Sequence, residues 1–174
     1  MTSVCSVSVA NSGSGKTYSA IRYIVDNRVA NSYLLTNVKS FSNKYDSIYM
    51  SNIIDIINFC KEHEHDNRQI YVFFDEIFTI LEKRTPVSRE ILSFISQLRK
   101  RSIIFITTAQ EWSEINITFR RYVRFQISCR IRSIPLLHTA IFFNSVYDGD
   151  TIHWDNDSQD FIADLIQVNV HKRK

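Results

Sequence analysis

The fold of this chain is decided by Ser6-Val7-Ser8-Val9-Ala10-Asn11-Ser12-Gly13-Ser14-Gly15-Lys16-Thr17. Its first four residues alternate polar and apolar, as a strand does. Its last eight residues fit the phosphate-binding pattern G-x-x-x-x-G-K-[ST], with Ala10 at the first glycine position. Apolar residues at helical spacing then follow, at Tyr18, Ile21, Ile24 and Val25. The stretch therefore predicts a strand, a tight turn and the start of a helix.

Such a loop suits a triphosphate because it supplies many backbone N–H donors in a small concave space. Gly13 and Gly15 permit the necessary tight turn, and the helix that follows favours an anion at its first turn. Lys16 is expected to reach the β- and γ-phosphates of ATP, and the Thr17 hydroxyl to ligate Mg²⁺. The predicted nucleotide-binding residues are Ala10, Asn11, Ser12, Gly13, Ser14, Gly15, Lys16 and Thr17.

Length and composition are those of one globular domain, with 174 residues, 44% apolar and 22% charged. We expect a core over residues 3–132 and a C-terminal extension over 133–174. Three distant cysteines, at positions 5, 60 and 129, favour a reducing compartment over a disulfide framework. No signal peptide and no run of 18 apolar residues is visible, so we expect no membrane span and a location in the cytoplasm or, for a virus, the virion.

Hydrophobic patterns predict strands that alternate with helices, hence an α/β fold with a mostly parallel sheet covered by helices on both faces. The predicted strands are 3–9, 32–37, 69–74, 102–108 and 123–131, and the predicted helices are 16–27, 51–63, 77–82, 89–99 and 114–122; residues 38–50 are predicted as a loop. The extension is predicted to form a hairpin of 137–146 with 151–154, turning at Asp148-Gly149, and then a helix over 160–168.

A second motif is the run Gln69-Ile70-Tyr71-Val72-Phe73-Phe74-Asp75-Glu76, which resembles a buried parallel strand that ends in two carboxylates. Parallel strands end at the same edge of a sheet, so both acids are expected beside the phosphate loop. Asp75 suits a Mg²⁺ ligand, and Glu76 suits a base for the water that attacks the γ-phosphate. Adjacent acids favour hydrolysis over a kinase, which needs an acceptor pocket instead.

Gln110 follows the next predicted strand and is a candidate sensor of the γ-phosphate, with a polar strand cap as the alternative. Arg99 and Arg101 precede that strand. One of them is a candidate to reach the ATP of a neighbouring subunit and neutralise charge in the transition state. A solvated helix end, where cations suit the helix dipole, remains the alternative.

The net charge of +3 is unevenly distributed along the chain. Residues 99–132 hold eight Lys/Arg and two Glu, or +6, whereas 133–170 hold six Asp and no Lys/Arg, or −6. The positive block is a candidate nucleic-acid surface, with ordinary surface charge as the alternative. Its candidate residues are Lys100, Arg120, Arg121 and Arg124, together with Arg130 and Arg132.

These motifs together resemble the FtsK/HerA superfamily of P-loop ATPases, and within it the small genome-packaging ATPases of double-stranded DNA viruses. The chain is also similar to the cytoplasmic domain of Zot-like proteins of filamentous phages. The resemblance covers about residues 3–132 and rests on 10–17, Phe73-Phe74-Asp75-Glu76, Arg99-Lys100-Arg101 and Thr107-Thr108-Ala109-Gln110.

The resemblance implies a RecA-like core with Asp75 on Mg²⁺, Glu76 as catalytic base and Gln110 as sensor. It also implies a homo-oligomeric ring, pentameric or hexameric, with ATP between subunits and double-stranded DNA through the centre, and a capsid-vertex or portal protein as partner. Three alternatives remain: a Zot-like assembly ATPase that acts with a membrane partner, a nucleotide or small-molecule kinase, and a nucleotide-gated binding module with negligible turnover.

Overall fold

The computed structural model describes residues 5–9, 13–42, 44–81, 86–98 and 100–173. Within them lies an eight-stranded sheet with a separate two-stranded hairpin. The strands are β1 (Cys5–Val9), β2 (Tyr33–Thr36), β3 (Ile48–Tyr49), β4 (Ile70–Phe74), β5 (Ile103–Ala109), β6 (Phe125–Ile134), β7 (Thr139–Asp148), β8 (His153–Asp155), β9 (Asp160–Ile162) and β10 (Leu165–Arg173).

The sheet has the order β10-β7-β6-β1-β5-β4-β2-β3. Strands β1 to β6 run parallel to one another, and β7 and β10 add antiparallel pairs at one side. This arrangement brings the carboxyl ends of β1, β5, β4 and β2 to one edge. The phosphate loop, Gln110, Asp75 and Asn37 follow those four strands, so the topology alone gathers them.

Helices cover both faces of the parallel strands, as predicted. They are α1 (Lys16–Asn27), α2 (Lys39–Ser42), α3 (Ile53–Glu62), α4 (Arg89–Gln97) and α5 (Ile117–Arg120). Helices α1 and α2 bury Ala20, Ile24 and Phe41 on one face, whereas α3, α4 and α5 contribute to a larger apolar cluster on the other. Every residue of β4 is buried, as expected of a strand covered on both sides.

The predicted C-terminal hairpin and helix are wrong. Residues 139–148 pair with β6 and β10, and His153–Asp155 pairs with β9. Residues 160–168, predicted as a helix, contribute to β9 and β10. Their apolar side chains recur at spacings that fit either element. Pairing of β9 with β8 and of β10 with the edge of β7 decides in favour of strand. The Asp148-Gly149 pair begins a 3-10 turn, Gly149–Thr151, because the Asp148 side chain accepts from the Asp150 N–H.

Smaller differences concern short elements. Residues 77–82 were predicted as a helix, but the structure has a 3-10 turn over Ile77–Thr79. The loop predicted over 38–50 contains α2 and the two-residue β3. None of the helices in the described part of the chain has both the length and the apolar character that a membrane crossing requires.

Strands β6, β7 and β10 continue beyond the edge where the phosphate loop lies. Pairing of β1 with β6 ends at Val9 opposite Ser128, yet β6 runs on to Ile134. Six further residues of strand span about 20 Å. We call this projection, residues 129–144 with 168–173, the arm.

Candidate nucleotide-binding site

The described part of the phosphate loop has the conformation that its glycines predict. Gly13 and Gly15 have φ values of +77° and +86°, a region that side chains with a Cβ rarely adopt. Gly15 directly precedes α1, so the first free N–H groups of that helix face the loop. Ala10, Asn11 and Ser12 lie outside the described residues.

Thr17, on the first turn of α1, meets the carboxylate that follows β4. Its hydroxyl donates to both Asp75 oxygens at 3.2 Å. The two predicted Mg²⁺ ligands therefore converge from elements 58 positions apart in the chain. A hydroxyl and a carboxylate are the oxygen donors that Mg²⁺ takes, with phosphate oxygens and water completing its octahedron. These residues fit a magnesium–triphosphate complex.

Asp75 is held in place by two residues that sequence reasoning did not assign to the site. The Asn37 side chain pairs with the Asp75 backbone twice: it accepts from the N–H at 2.7 Å and donates to the carbonyl at 3.0 Å. The Thr108 hydroxyl donates to the Asp75 carboxylate and accepts from the Glu76 N–H at 2.9 Å. Both residues lie at the carboxyl ends of strands that neighbour β4. This position in the sequence could have indicated that they belong to the site.

Glu76 has a left-handed backbone, with φ +56° and ψ +59°. For a residue with a side chain this conformation costs on the order of 1 kcal/mol, and such strain concentrates at functional sites. The bend directs the chain from β4 into the 3-10 turn and leaves Glu76 exposed, while the next residue, Ile77, is buried. A carboxylate exposed on this cleft can accept a proton from water.

These groups surround a cleft of about 310 Å³. Its lining includes every described residue that was predicted to bind the phosphates or the metal or to take part in hydrolysis, except Ser14 and Arg101. Its lining is Gly13, Gly15, Lys16, Thr17, Tyr18, Asp75, Glu76, Thr108 and Gln110. Gln110 also lines a second, wider cleft that begins at Gly13 and Ser14. The arrangement can bind a phosphate chain, hold a divalent cation and position a water beside Glu76.

Phe142 of β7 packs against the phosphate loop, and no sequence pattern indicated this. A Cβ built on Gly15 would lie 2.7 Å from the Phe142 ring. The same ring packs against Tyr18 in a tilted arrangement, with 4.4 Å between centroids and 31° between planes, and the Arg173 guanidinium lies 5.3 Å from the Tyr18 ring centre. The arm therefore contacts the loop directly.

Arg101, the described member of the two candidate arginines before β5, lies at the opposite edge of the sheet from the cleft. It lies two residues before β5, whose seven residues span about 23 Å before Gln110. Its guanidinium lies 3.4 Å from the Glu64 carboxylate, with 17% of the side chain exposed. Lys100 is exposed nearby, and Arg99 lies outside the described residues.

Two candidates for nucleic-acid contact have partners within the fold. Arg120 donates to the carbonyls of Ser113 and Ile115 and lies over the Trp112 and Phe161 rings, 5.7 and 5.2 Å from their centres. Burial lowers the pKa of Arg120. These contacts leave it little access to an external ligand.

Arg124 pairs with Asp148 at 3.4 Å and with Asp150, so two acids of the negative segment neutralise it. Arg121 is exposed. The structure therefore leaves fewer cations available in the segment around α5 than the sequence suggested.

Several solved structures have a similar fold. The genome-packaging NTPase B204 from Sulfolobus turreted icosahedral virus 2, bound to ATP-gammaS, superposes with a TM-score of 0.66 at 14% identity, covering 97% of this chain and 96% of that one. The N-terminal domain of zonular occludens toxin from Neisseria meningitidis gives 0.59 at 14% identity, with the same coverage.

A third similar structure is EssC, ATPases 2 and 3, from Geobacillus thermodenitrificans, with a TM-score of 0.55 at 15% identity over 72% of this chain and 32% of that one. No family model matches the chain, and no curated protein matches it. At these identities the likeness concerns the fold alone: the chain shares its mostly parallel α/β architecture with these structures.

Proposed function

We propose that this protein is a Mg²⁺-dependent ATPase. The observation that carries the proposal is the convergence of Lys16, Thr17, Asp75, Glu76 and Gln110 on one cleft. When bound, Mg²⁺ would neutralise charge on the β- and γ-phosphates. Thr17 and Asp75 would hold the ion, and Asn37 and Thr108 keep the Asp75 carboxylate directed at the cleft.

Hydrolysis requires a water in line with the γ-phosphate and a group that takes its proton. Glu76 would accept that proton, and the Gln110 amide would contact the γ-phosphate or the attacking water. Lys16 stabilises the negative charge on the phosphate oxygens. No acceptor hydroxyl other than water is needed for this step.

We further propose that hydrolysis drives double-stranded DNA through a ring of subunits, as in genome packaging. Support comes from the full-length match to B204, described as a genome-packaging NTPase, at 97% coverage of this chain. Arg101 lies about 23 Å along β5 from its own cleft and pairs with Glu64 in the single chain, so it would serve catalysis only if that pair opened toward the nucleotide of a neighbouring subunit. A capsid-vertex or portal protein would be the further partner.

The test is the steady-state rate of phosphate release by the purified chain, with and without duplex DNA. The proposal predicts Mg²⁺-dependent hydrolysis that rises several-fold with duplex DNA. An unchanged rate at all DNA concentrations would overturn the DNA motor and leave the ATPase in place. Native mass measurement with an ATP analogue tests the ring: a monomer under all conditions would contradict it.

A second candidate is an assembly or secretion ATPase of the Zot kind, favoured by the match to the zonular occludens toxin domain over 97% of this chain. It shares the ATPase chemistry but acts through a membrane partner. A rate of phosphate release that does not change with DNA, but rises when membranes from the producing cell are added, would favour this candidate.

A further inference from the structure

The arm carries positive charge without any acidic residue. Its two segments, 129–144 and 168–173, hold four Lys/Arg and no Asp or Glu. Arg130, Arg132 and Lys172 are exposed, and within the described residues they form no ion pair or hydrogen bond. By contrast, the side chains of Arg101, Arg120 and Arg124 form ion pairs or hydrogen bonds within the fold.

The strand register places these three cations on one face of the arm. Residues directly opposite in an antiparallel pair point the same way. Arg130 is opposite Phe143, which is opposite Val170; Arg132 is opposite Ile141, which is opposite Lys172. This face therefore has cations on both outer strands, about 10 Å apart, with apolar residues between them.

The other face of the arm is the one that packs on the phosphate loop. Phe142 alternates with Phe143 along β7, so its ring points to the opposite side, where it meets Gly15 and Tyr18. A molecule on the cationic face would be one sheet thickness away from the loop that binds the phosphates.

We propose that the cationic face of the arm, Arg130, Arg132 and Lys172, binds the phosphate backbone of double-stranded nucleic acid. The proposal rests on the proposed function and narrows its surface. Of the candidates from the sequence it keeps Arg130 and Arg132 and leaves out Lys100, Arg120, Arg121 and Arg124, and it adds Lys172. A bound duplex would then influence nucleotide binding through β7.

Charge and shape together favour a nucleic-acid backbone over an acidic protein. Arg130 lines the wide cleft beside the phosphate loop, but Arg132 and Lys172 lie outside its lining. These two unpaired cations offer phosphate contacts without a pocket for anchor side chains, on which protein interfaces generally depend. No carboxylate within the arm repels a phosphate or competes for the cations.

The experiment measures binding of a short fluorescent duplex of mixed sequence by anisotropy, over a series of KCl concentrations, with the full chain. The triple variant Arg130→Gln/Arg132→Gln/Lys172→Gln is compared with Lys100→Gln/Arg121→Gln/Arg124→Gln, which removes the same charge from candidates of the sequence that lie outside the arm. Loss of three phosphate contacts flattens the slope of log K against log [salt] by about 2.7. We expect that change in the arm triple, and a change below about 0.5 in the other.

The melting temperature of each variant shows whether it is folded. The double variant Arg130→Lys/Arg132→Lys is the charge-retaining control, and we expect it to keep the wild-type slope. Poly-glutamate serves as a second probe. If it displaces the duplex at equal charge concentration, the face is a docking site for acidic protein and the inference fails.

If the slope falls in the Lys100/Arg121/Arg124 triple and not in the arm triple, the inference also fails, while a DNA-stimulated ATPase would stand. If the wild-type chain binds no duplex, the inference and the DNA motor fail together. If the arm binds duplex but hydrolysis does not respond to it, the inference stands and the motor fails.

Discussion

The Thr17 hydroxyl lies 3.2 Å from each carboxylate oxygen of Asp75. This contact joins the first turn of α1 to the end of β4, and both groups are ligands that Mg²⁺ accepts. The side chains are thus arranged around the position that a magnesium–triphosphate complex requires.

Replacing Thr17 by Ala removes one ligand and leaves the loop backbone in place. We expect hydrolysis to fall on the order of 100-fold and to need more Mg²⁺ for half-maximal rate. Titration of the rate against Mg²⁺ measures both, and Thr17→Ser, which keeps the hydroxyl, is the matched control. Wild-type Mg²⁺ dependence in Thr17→Ala would rule out the assigned ligand.

Replacing Glu76 by Gly relieves the left-handed strain but removes the proposed base. We expect the free energy of unfolding to rise by about 0.5–1 kcal/mol while hydrolysis is lost. Ser102 has a similar φ of +53° but lies far from the cleft, so Ser102→Gly should gain stability and keep hydrolysis. Chemical denaturation measures the stability of the wild type and of both variants, and phosphate release measures their hydrolysis. A Glu76→Gly variant less stable than the wild type would show that the Glu76 backbone is not strained.

Phe142→Leu tests the contact between the arm and the loop. A smaller, branched side chain no longer fills the space over Gly15, so we expect the KM for ATP to rise about fivefold with a smaller effect on kcat. Phe142→Tyr should restore KM. Phe94→Leu, at a buried phenylalanine in the other apolar cluster, controls for lost packing and should leave KM unchanged. Equal KM values in both leucine variants would show that Phe142 has only a packing role.

Arg120→Ala should destabilise the fold, because it removes hydrogen bonds to two carbonyls and the packing on Trp112 and Phe161. We expect a loss of about 1–3 kcal/mol in urea unfolding. Arg120→Lys should recover little of it, since an ammonium cannot reproduce the planar fork. Arg121→Ala, exposed next to it, should change stability by less than about 0.5 kcal/mol. Similar losses in the two alanine variants would contradict the structural role.

The nucleotide site was largely predictable because its motifs are local and the topology is simple. The phosphate loop is one continuous stretch, and a buried run ending in Asp75-Glu76 indicates a strand end at the same sheet edge. Parallel order then brings both together without knowledge of any side-chain contact. Asn37 was missed since one amide after a short strand carries no pattern of its own.

The C-terminal third was predicted poorly because long-range pairing decides its structure. The spacing of Phe161, Ile162, Leu165 and Ile166 fits a helix as well as a strand. Pairing with β8 for the first two, and with the free edge of β7 for the strand that the others begin, selects strand. For the same reason the arm could not be foreseen. The packing of Phe142 on Gly15 joins positions that no local pattern relates.

The most direct test of the ATPase is single-turnover phosphate release from Mg²⁺-ATP by the wild-type chain and by Glu76→Gln. Glutamine keeps the shape of the side chain and cannot take a proton, so ATP should bind with similar affinity while the rate falls by about 10²–10⁴. Equal rates in the two proteins, or no phosphate release by the wild type, would contradict hydrolysis at this cleft.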